Sequence, residues 1–209
     1  MPVTSVDPGV GSGAELGGVP VRVLAVCTAN ISRSPAVERL LQRGLGDTVD
    51  VRSAGVMALV GEPIDPPVAA FLQGSGVDAS GFAARQVTEA HLKQSDLVLA
   101  LTKAHRAHVL SLAPAAVRRT YTLLEFARVL SFVDLTGLPP AATAGERLRQ
   151  VLPMVTAGRS LAPRAADGGD DVPDPYGHGE VAYARSLTLI REATATISRL
   201  LLPAGGAQR

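Results

Sequence analysis

The chain has 209 residues, 46% of them hydrophobic but only 3% aromatic and none Trp, so its core has to be built from Leu, Val, Ala and Ile. Its formal net charge of +1 gives no electrostatic case for nucleic acid as a partner. A single cysteine excludes an intrachain disulfide and a cysteine-based zinc site, and it suits a reducing cytoplasm.

Residues 1–20 lack the basic start and apolar stretch of a signal peptide, and their glycines (9, 11, 13, 17 and 18) predict a flexible leader. Val21–Cys27 reads as a buried strand. Pro35–Gly44 reads as a helix, with Pro35 suited to the first turn and Val37, Leu40, Leu41 and Leu45 at helical spacing. Val49–Ser53 reads as a second strand, ended by Ala54-Gly55. Pro66–Gly74 and the short Thr88–Lys93 read as helices. Asp96–Leu101 is continuously apolar after its first residue, the pattern of a strand covered on both faces. Lys103–Leu112 looks helical, Arg119–Leu123 is a weaker strand, and Leu124–Leu130 is helical again.

Residues 131–171 break the repeat: they are rich in Pro, Gly and Ala, with a helix from Gly145 to Val155 broken at Pro153. The expectation is an insertion forming a solvated surface excursion. The other reading is a lid whose Arg147, Arg149, Arg159 and Arg164 contact an anionic substrate. The last helix runs over about 180–202, with Ala184, Leu187, Ile190, Ala193, Ile197 and Leu201 on one face. Residues 204–209 read as a tail, leaving 21–203 as one α/β domain. Strands alternating with helices predict a parallel sheet flanked by helices on both faces. Ligands bind such sheets at the carboxyl ends of the strands, which is where Cys27 falls. No apolar run approaches the ~20 residues that cross a bilayer, so no membrane insertion is expected.

The chemistry starts at Cys27-Thr28-Ala29-Asn30-Ile31-Ser32-Arg33-Ser34, a loop between the first strand and the first helix. Backbone N–H groups at a helix N-terminus attract an anion and favour a thiolate over a thiol. A guanidinium in reach holds a phosphate through parallel hydrogen bonds. The segment therefore reads as a phosphate-binding loop with a nucleophile at its base. Hydrolysing a phosphate ester through a cysteine also needs a proton donor for the leaving oxygen. Asp174, between Pro173 and Pro175, is the best candidate, because two prolines stiffen its loop. Asp170 and Asp171 are rivals in a glycine-rich stretch, and Tyr176 could stack on an aromatic substrate.

These motifs, in this order around an α/β sheet, resemble the low-molecular-weight protein-tyrosine phosphatase family, bacterial type. The resemblance covers residues 21–130 and 172–202, through Val26–Pro35, Arg52-Ser53-Ala54-Gly55, Asp96-Leu97-Val98-Leu99 and Asp174-Pro175-Tyr176. It implies a four-stranded parallel sheet and a phosphatase acting on protein phosphotyrosine through a phosphocysteine. Cys27 would be the nucleophile, Arg33 and the N–H groups of 28–33 the phosphate cradle, and Asp174 the acid and then the base. Asn30 would brace the loop and Ser34 would donate to the sulfur. Thr28, Ala29, Asn30, Ile31, Ser32, Ser34 and Tyr176 would together line the substrate. No cofactor or metal is needed, since Arg33 and the amides supply the positive potential. Bacterial members imply a phosphotyrosine-containing protein as partner, such as a tyrosine kinase of polysaccharide export.

Two departures qualify the likeness, and a third residue bears on substrate choice. Ala29 stands where the family usually has glycine, a strained choice if that position needs φ > 0. Ser32 stands where many members carry a second cysteine. Ile31 stands where the arginine-phosphatase branch has threonine, which favours phosphotyrosine. The competing functions are arsenate reduction with an external low-molecular-weight thiol and a binding module without turnover. His91, His105 and His108 read as exposed helical residues, His178 as a rim residue, and Arg85 as a surface or fold-supporting charge. Oligomeric state is left open.

Overall fold

The computed structural model describes residues 18–166 and 169–202. The leader up to residue 17 and the 204–209 tail lie outside the described residues. Four strands, β1 (Val21–Cys27), β2 (Val49–Gly55), β3 (Leu97–Ala100) and β4 (Thr120–Thr122), pair in parallel in the order β2-β1-β3-β4. The expected four-stranded sheet is therefore present, with β1 at its centre and Cys27 opposite Gly55.

Side chains of β1 alternate between two cores. Val21, Val23, Ala25 and Cys27 enter the larger one, and Leu24 and Val26 enter the smaller. Helices α1 (Arg33–Leu45), α2 (Pro66–Gly74), α5 (Leu123–Phe132), α6 (Ala144–Gly158) and α7 (Gly179–Leu201) supply side chains to the larger core. The smaller is covered by α3 (Glu89–Gln94) and α4 (Lys103–Leu112), through Leu92 and Val109. Burial on both faces is why Val23–Cys27 of β1 and all of β3 are unbroken apolar runs, whereas β2 keeps Asp50 and Arg52 between buried residues.

Local signals set most boundaries. The Thr102 hydroxyl accepts from His105 N–H and starts α4, and Thr122 with Glu125 forms a capping box that starts α5. The first helix begins two residues before Pro35, which brings Arg33 into its first turn. Among the described residues, no helix is long and apolar enough to cross a membrane.

Within 131–171 the structure corrects the reading for α6 alone: Leu148, Val151 and Val155 are buried in the larger core, while residues 131–140 before it are exposed or half-buried. Helix α6 sits at the amino ends of the strands, opposite Cys27. Its Gly145 N–H donates to Thr48 Oγ1 just before β2, and Arg149 contacts the Val19 carbonyl just before β1. A Cβ at Gly145 would lie 2.4 Å from the Thr48 carbonyl oxygen, so this close approach requires glycine. Pro153 does not break the helix. It lies on the exposed face, where solvent can satisfy the carbonyl that loses its partner. Arg159 pairs with Glu125 and stacks on the Tyr121 ring, its guanidinium carbon 4.2 Å from the centroid.

Candidate active site

Residues 28–32 turn from the carboxyl end of β1 into α1. The carbonyls of Cys27, Thr28, Ala29 and Ile31 accept from the N–H groups of Val56, Met57, Leu59 and Asp65 at 2.8–3.0 Å. With those carbonyls turned outward and paired, the N–H groups of Thr28 to Arg33 find no acceptor among the described residues. Such a row of donors at a helix N-terminus is able to receive an oxyanion. Gly55 makes the close docking possible, because a Cβ there would stand 2.3 Å from the Thr28 carbonyl oxygen.

Asn30 shapes the turn. It is the one non-glycine residue with positive φ (58°) among those described, so the strained position is Asn30, and Ala29 bears no such strain. Its amide nitrogen donates to Ser34 Oγ at 2.9 Å and Ser53 Oγ at 2.8 Å, and its oxygen accepts from Arg85 N at 2.9 Å. Ser34 Oγ lies 3.0 Å from Cys27 Sγ. That oxygen accepts from Asn30, and its one proton can go to the sulfur at 3.0 Å or to the Ala54 carbonyl at 3.5 Å, the sulfur being the nearer. Ser53 in turn donates to Glu38 at 2.6 Å, and burial pushes the Glu38 carboxyl above its usual range against the pull of Ser53 and Arg85. Arg85 anchors this network through the Ser53 carbonyl at 2.6 Å, a fold-supporting role.

Arg33 is buried, its side chain 5% exposed, and three residues from two loops hold its guanidinium. Nη1 donates to the Val172 carbonyl at 3.3 Å, and Nη2 donates to Thr28 Oγ1 at 3.3 Å and to Asp174 Oδ2 at 2.5 Å. Asp174 is 47% exposed, at the rim. Its loop is tied down twice: Val172 N–H donates to the Leu101 carbonyl at the end of β3, and the Asp171 carboxylate accepts from Lys103 N–H at 2.7 Å. Asp170 is held by Arg128 through two 3.0 Å contacts. Both rivals are thus occupied, and of the three acids Asp174 is the one that pairs with Arg33.

The structure brings Cys27, Thr28, Asn30, Arg33, Ser34 and Asp174 together. Ile31 is largely buried, 7% exposed. Ser32 is also buried, and its hydroxyl has no partner among the described residues. The Tyr176 N–H donates to the Asp174 carboxylate, and the residue is 57% exposed.

The sequence reading missed His105. Far from exposed, it is buried, with Nε2 2.9 Å from Thr28 Oγ1 and Nδ1 3.0 Å from Thr102 Oγ1. Burial first, and then the Arg33 charge, push its pKa down to about 4. One signal was available: the residues after β3, like those after β1, follow the carboxyl end of a parallel strand.

The sequence profile of the family described as low molecular weight phosphotyrosine protein phosphatase matches residues 22–158. The chain belongs to this family. Etp of Escherichia coli K12, a low molecular weight protein-tyrosine-phosphatase, is 42% identical over 98 residues, 47% of this chain and 66% of Etp. The protein-arginine-phosphatase of Geobacillus stearothermophilus is 33% identical over 108 residues, 52% of this chain and 72% of that protein. Vibrio vulnificus Wzb, solved in complex with benzylphosphonate, superposes with a TM-score of 0.62 at 26% identity, covering 86% of this chain and 97% of Wzb. The chain thus spans just under two thirds of Etp's length in sequence, and the fold likeness runs over nearly all of Wzb. As a family member it has a loop cysteine without a thiol neighbour, Cys27 being its only one. Peroxide is expected to drive Cys27 past sulfenic acid, with poor recovery of free thiol in dithiothreitol. Full recovery after mild oxidation, read by thiol titration, contradicts this.

Proposed function

We propose that the chain hydrolyses aryl phosphate monoesters, with protein phosphotyrosine as substrate, through a phosphocysteine intermediate. The observation that carries the reading is the meeting of Arg33 with Thr28 and Asp174 above a loop of free N–H groups rooted at Cys27. Cys27, as thiolate, attacks phosphorus: a P–S bond forms, and the bond from phosphorus to the phenolic oxygen breaks. Asp174 gives its proton to the departing oxygen. Arg33 and the amides of 28–33 hold the three equatorial oxygens, where transition-state charge gathers. Phosphoryl oxygens therefore replace Asp174 on Arg33 when substrate binds. In the second half, Asp174 takes a proton from water, the water oxygen attacks phosphorus, and the P–S bond breaks to release phosphate. The Ser34 hydroxyl supports the negative sulfur that leaves.

Two features favour tyrosine over arginine as the phosphorylated side chain. Ile31 offers a guanidinium no hydrogen-bond partner, and the exposed Tyr176 beside Asp174 offers an aromatic face. The partner is then a phosphotyrosine protein, for which a bacterial tyrosine kinase is a candidate, in a reducing cytoplasm. A substrate panel tests this. Para-nitrophenyl phosphate and a phosphotyrosine peptide should be hydrolysed, with kcat/KM at least about 100-fold above phosphoserine and phosphoarginine peptides. Preference for phosphoarginine overturns the substrate assignment. Arsenate-dependent thiol oxidation without aryl phosphate turnover replaces the reaction itself.

A further inference from the structure

We propose that His105 is a positioning residue of this site: from the first turn of α4 it fixes the Thr28 hydroxyl, and through it the Arg33 guanidinium, where an oxyanion binds. This rests on the reading of the Cys27 loop as an oxyanion site. Three observations support it. First, the contacts form one chain: Thr102 Oγ1 to His105 Nδ1 at 3.0 Å, His105 Nε2 to Thr28 Oγ1 at 2.9 Å, and Arg33 Nη2 to Thr28 Oγ1 at 3.3 Å. Second, the same Arg33 Nη2 donates to Asp174. When an anion displaces that carboxylate, Thr28 remains the side-chain anchor of Nη2, with the Val172 carbonyl holding Nη1. Third, α4 does not need the imidazole for its start, because the Thr102 hydroxyl caps the His105 backbone N–H, not the ring.

The proton pattern fits a neutral ring. Arg33 can only donate, so Thr28 Oγ1 accepts from it. A neutral imidazole then uses one nitrogen as donor and the other as acceptor, and either tautomer satisfies both threonines. An imidazolium would donate from both nitrogens and set a second cation beside Arg33. The charged groups facing the ring are Arg33 from α1, Asp171 and Asp174 from the acid loop, and His108 from its own helix, and burial with Arg33 keeps it neutral. His105 therefore acts as a fixed dipolar strut between two loops rather than as a proton donor in the reaction.

Tungstate binding, measured by calorimetry, tests the proposal without needing turnover. His105→Leu should weaken tungstate by roughly tenfold, and Thr28→Val should do the same. The two losses should not add, so the double variant should lie within about twofold of either single one. His105→Gln, whose amide can still meet the Thr28 hydroxyl, should restore affinity to within about threefold of the unaltered chain. A merely structural histidine would lower Tm and leave tungstate affinity intact; that result, additive losses, or failure of glutamine to rescue overturns the inference. If His105→Leu does not fold, Thr28→Val and its combination with His105→Gln carry the same test, since the substitutions should again be non-additive. Tungstate binding that follows this pattern while the unaltered chain leaves para-nitrophenyl phosphate intact sinks the phosphatase reading and keeps His105. A folded, unaltered chain that does not bind tungstate sinks both.

Discussion

Cys27→Ser is expected to cut para-nitrophenyl phosphate turnover by about 10⁴-fold or more while leaving tungstate binding within a few-fold of normal. Among the described residues the side chain that bonds this position is Ser34 at 3.0 Å, itself a hydroxyl and not a base. The cradle, by contrast, consists of backbone N–H groups and Arg33, whose contacts to Val172, Thr28 and Asp174 do not involve the sulfur. Binding and chemistry should therefore separate at this one atom. Steady-state rates and calorimetry on the same variant check it. A rate within tenfold of the unaltered chain would move the nucleophile elsewhere, whereas loss of tungstate binding would mean that the sulfur also shapes the loop.

Asp174→Ala should slow hydrolysis of a phosphotyrosine peptide by roughly 10²–10⁴-fold. The loss should be much smaller for para-nitrophenyl phosphate, whose leaving oxygen needs less help from a proton. The same change should tighten tungstate severalfold, because the anion and the Asp174 carboxylate compete for Arg33 Nη2, now occupied at 2.5 Å. That opposite movement of rate and affinity distinguishes a rim acid from a residue that only holds the fold. Asp170→Ala should behave as the latter: its carboxylate is committed to Arg128, so stability should fall without dependence on the leaving group. Equal loss on good and poor leaving groups would remove Asp174 from proton transfer.

The chain's own sequence determined the parts of this protein that are local. The buried run of β1, the loop from Cys27 to Arg33 and the first helix are contiguous, and their hydrophobic period, proline and polar caps all lie within a few residues of one another. The bounds of α2 and α4 follow from the same short-range signals. Even Asp174 could be singled out, since flanking prolines act on the backbone next to them.

Tertiary structure decided everything carried by contacts between distant residues. Asp174 meets Arg33 across 141 positions, and His105 meets Thr28 across 77. Neither pairing leaves a periodic trace. The helix around Pro153 looked like a surface break because proline is read locally, whereas Leu148, Val151 and Val155 hold it against the core. Strain was looked for at Ala29, but the chain places its left-handed turn at Asn30, where three side-chain hydrogen bonds offset the cost. Hydrophobic period and capping act over a turn of helix. The burial that turns a surface histidine into a strut, or the middle of an expected excursion into core, depends on which strand ends the folded sheet brings side by side.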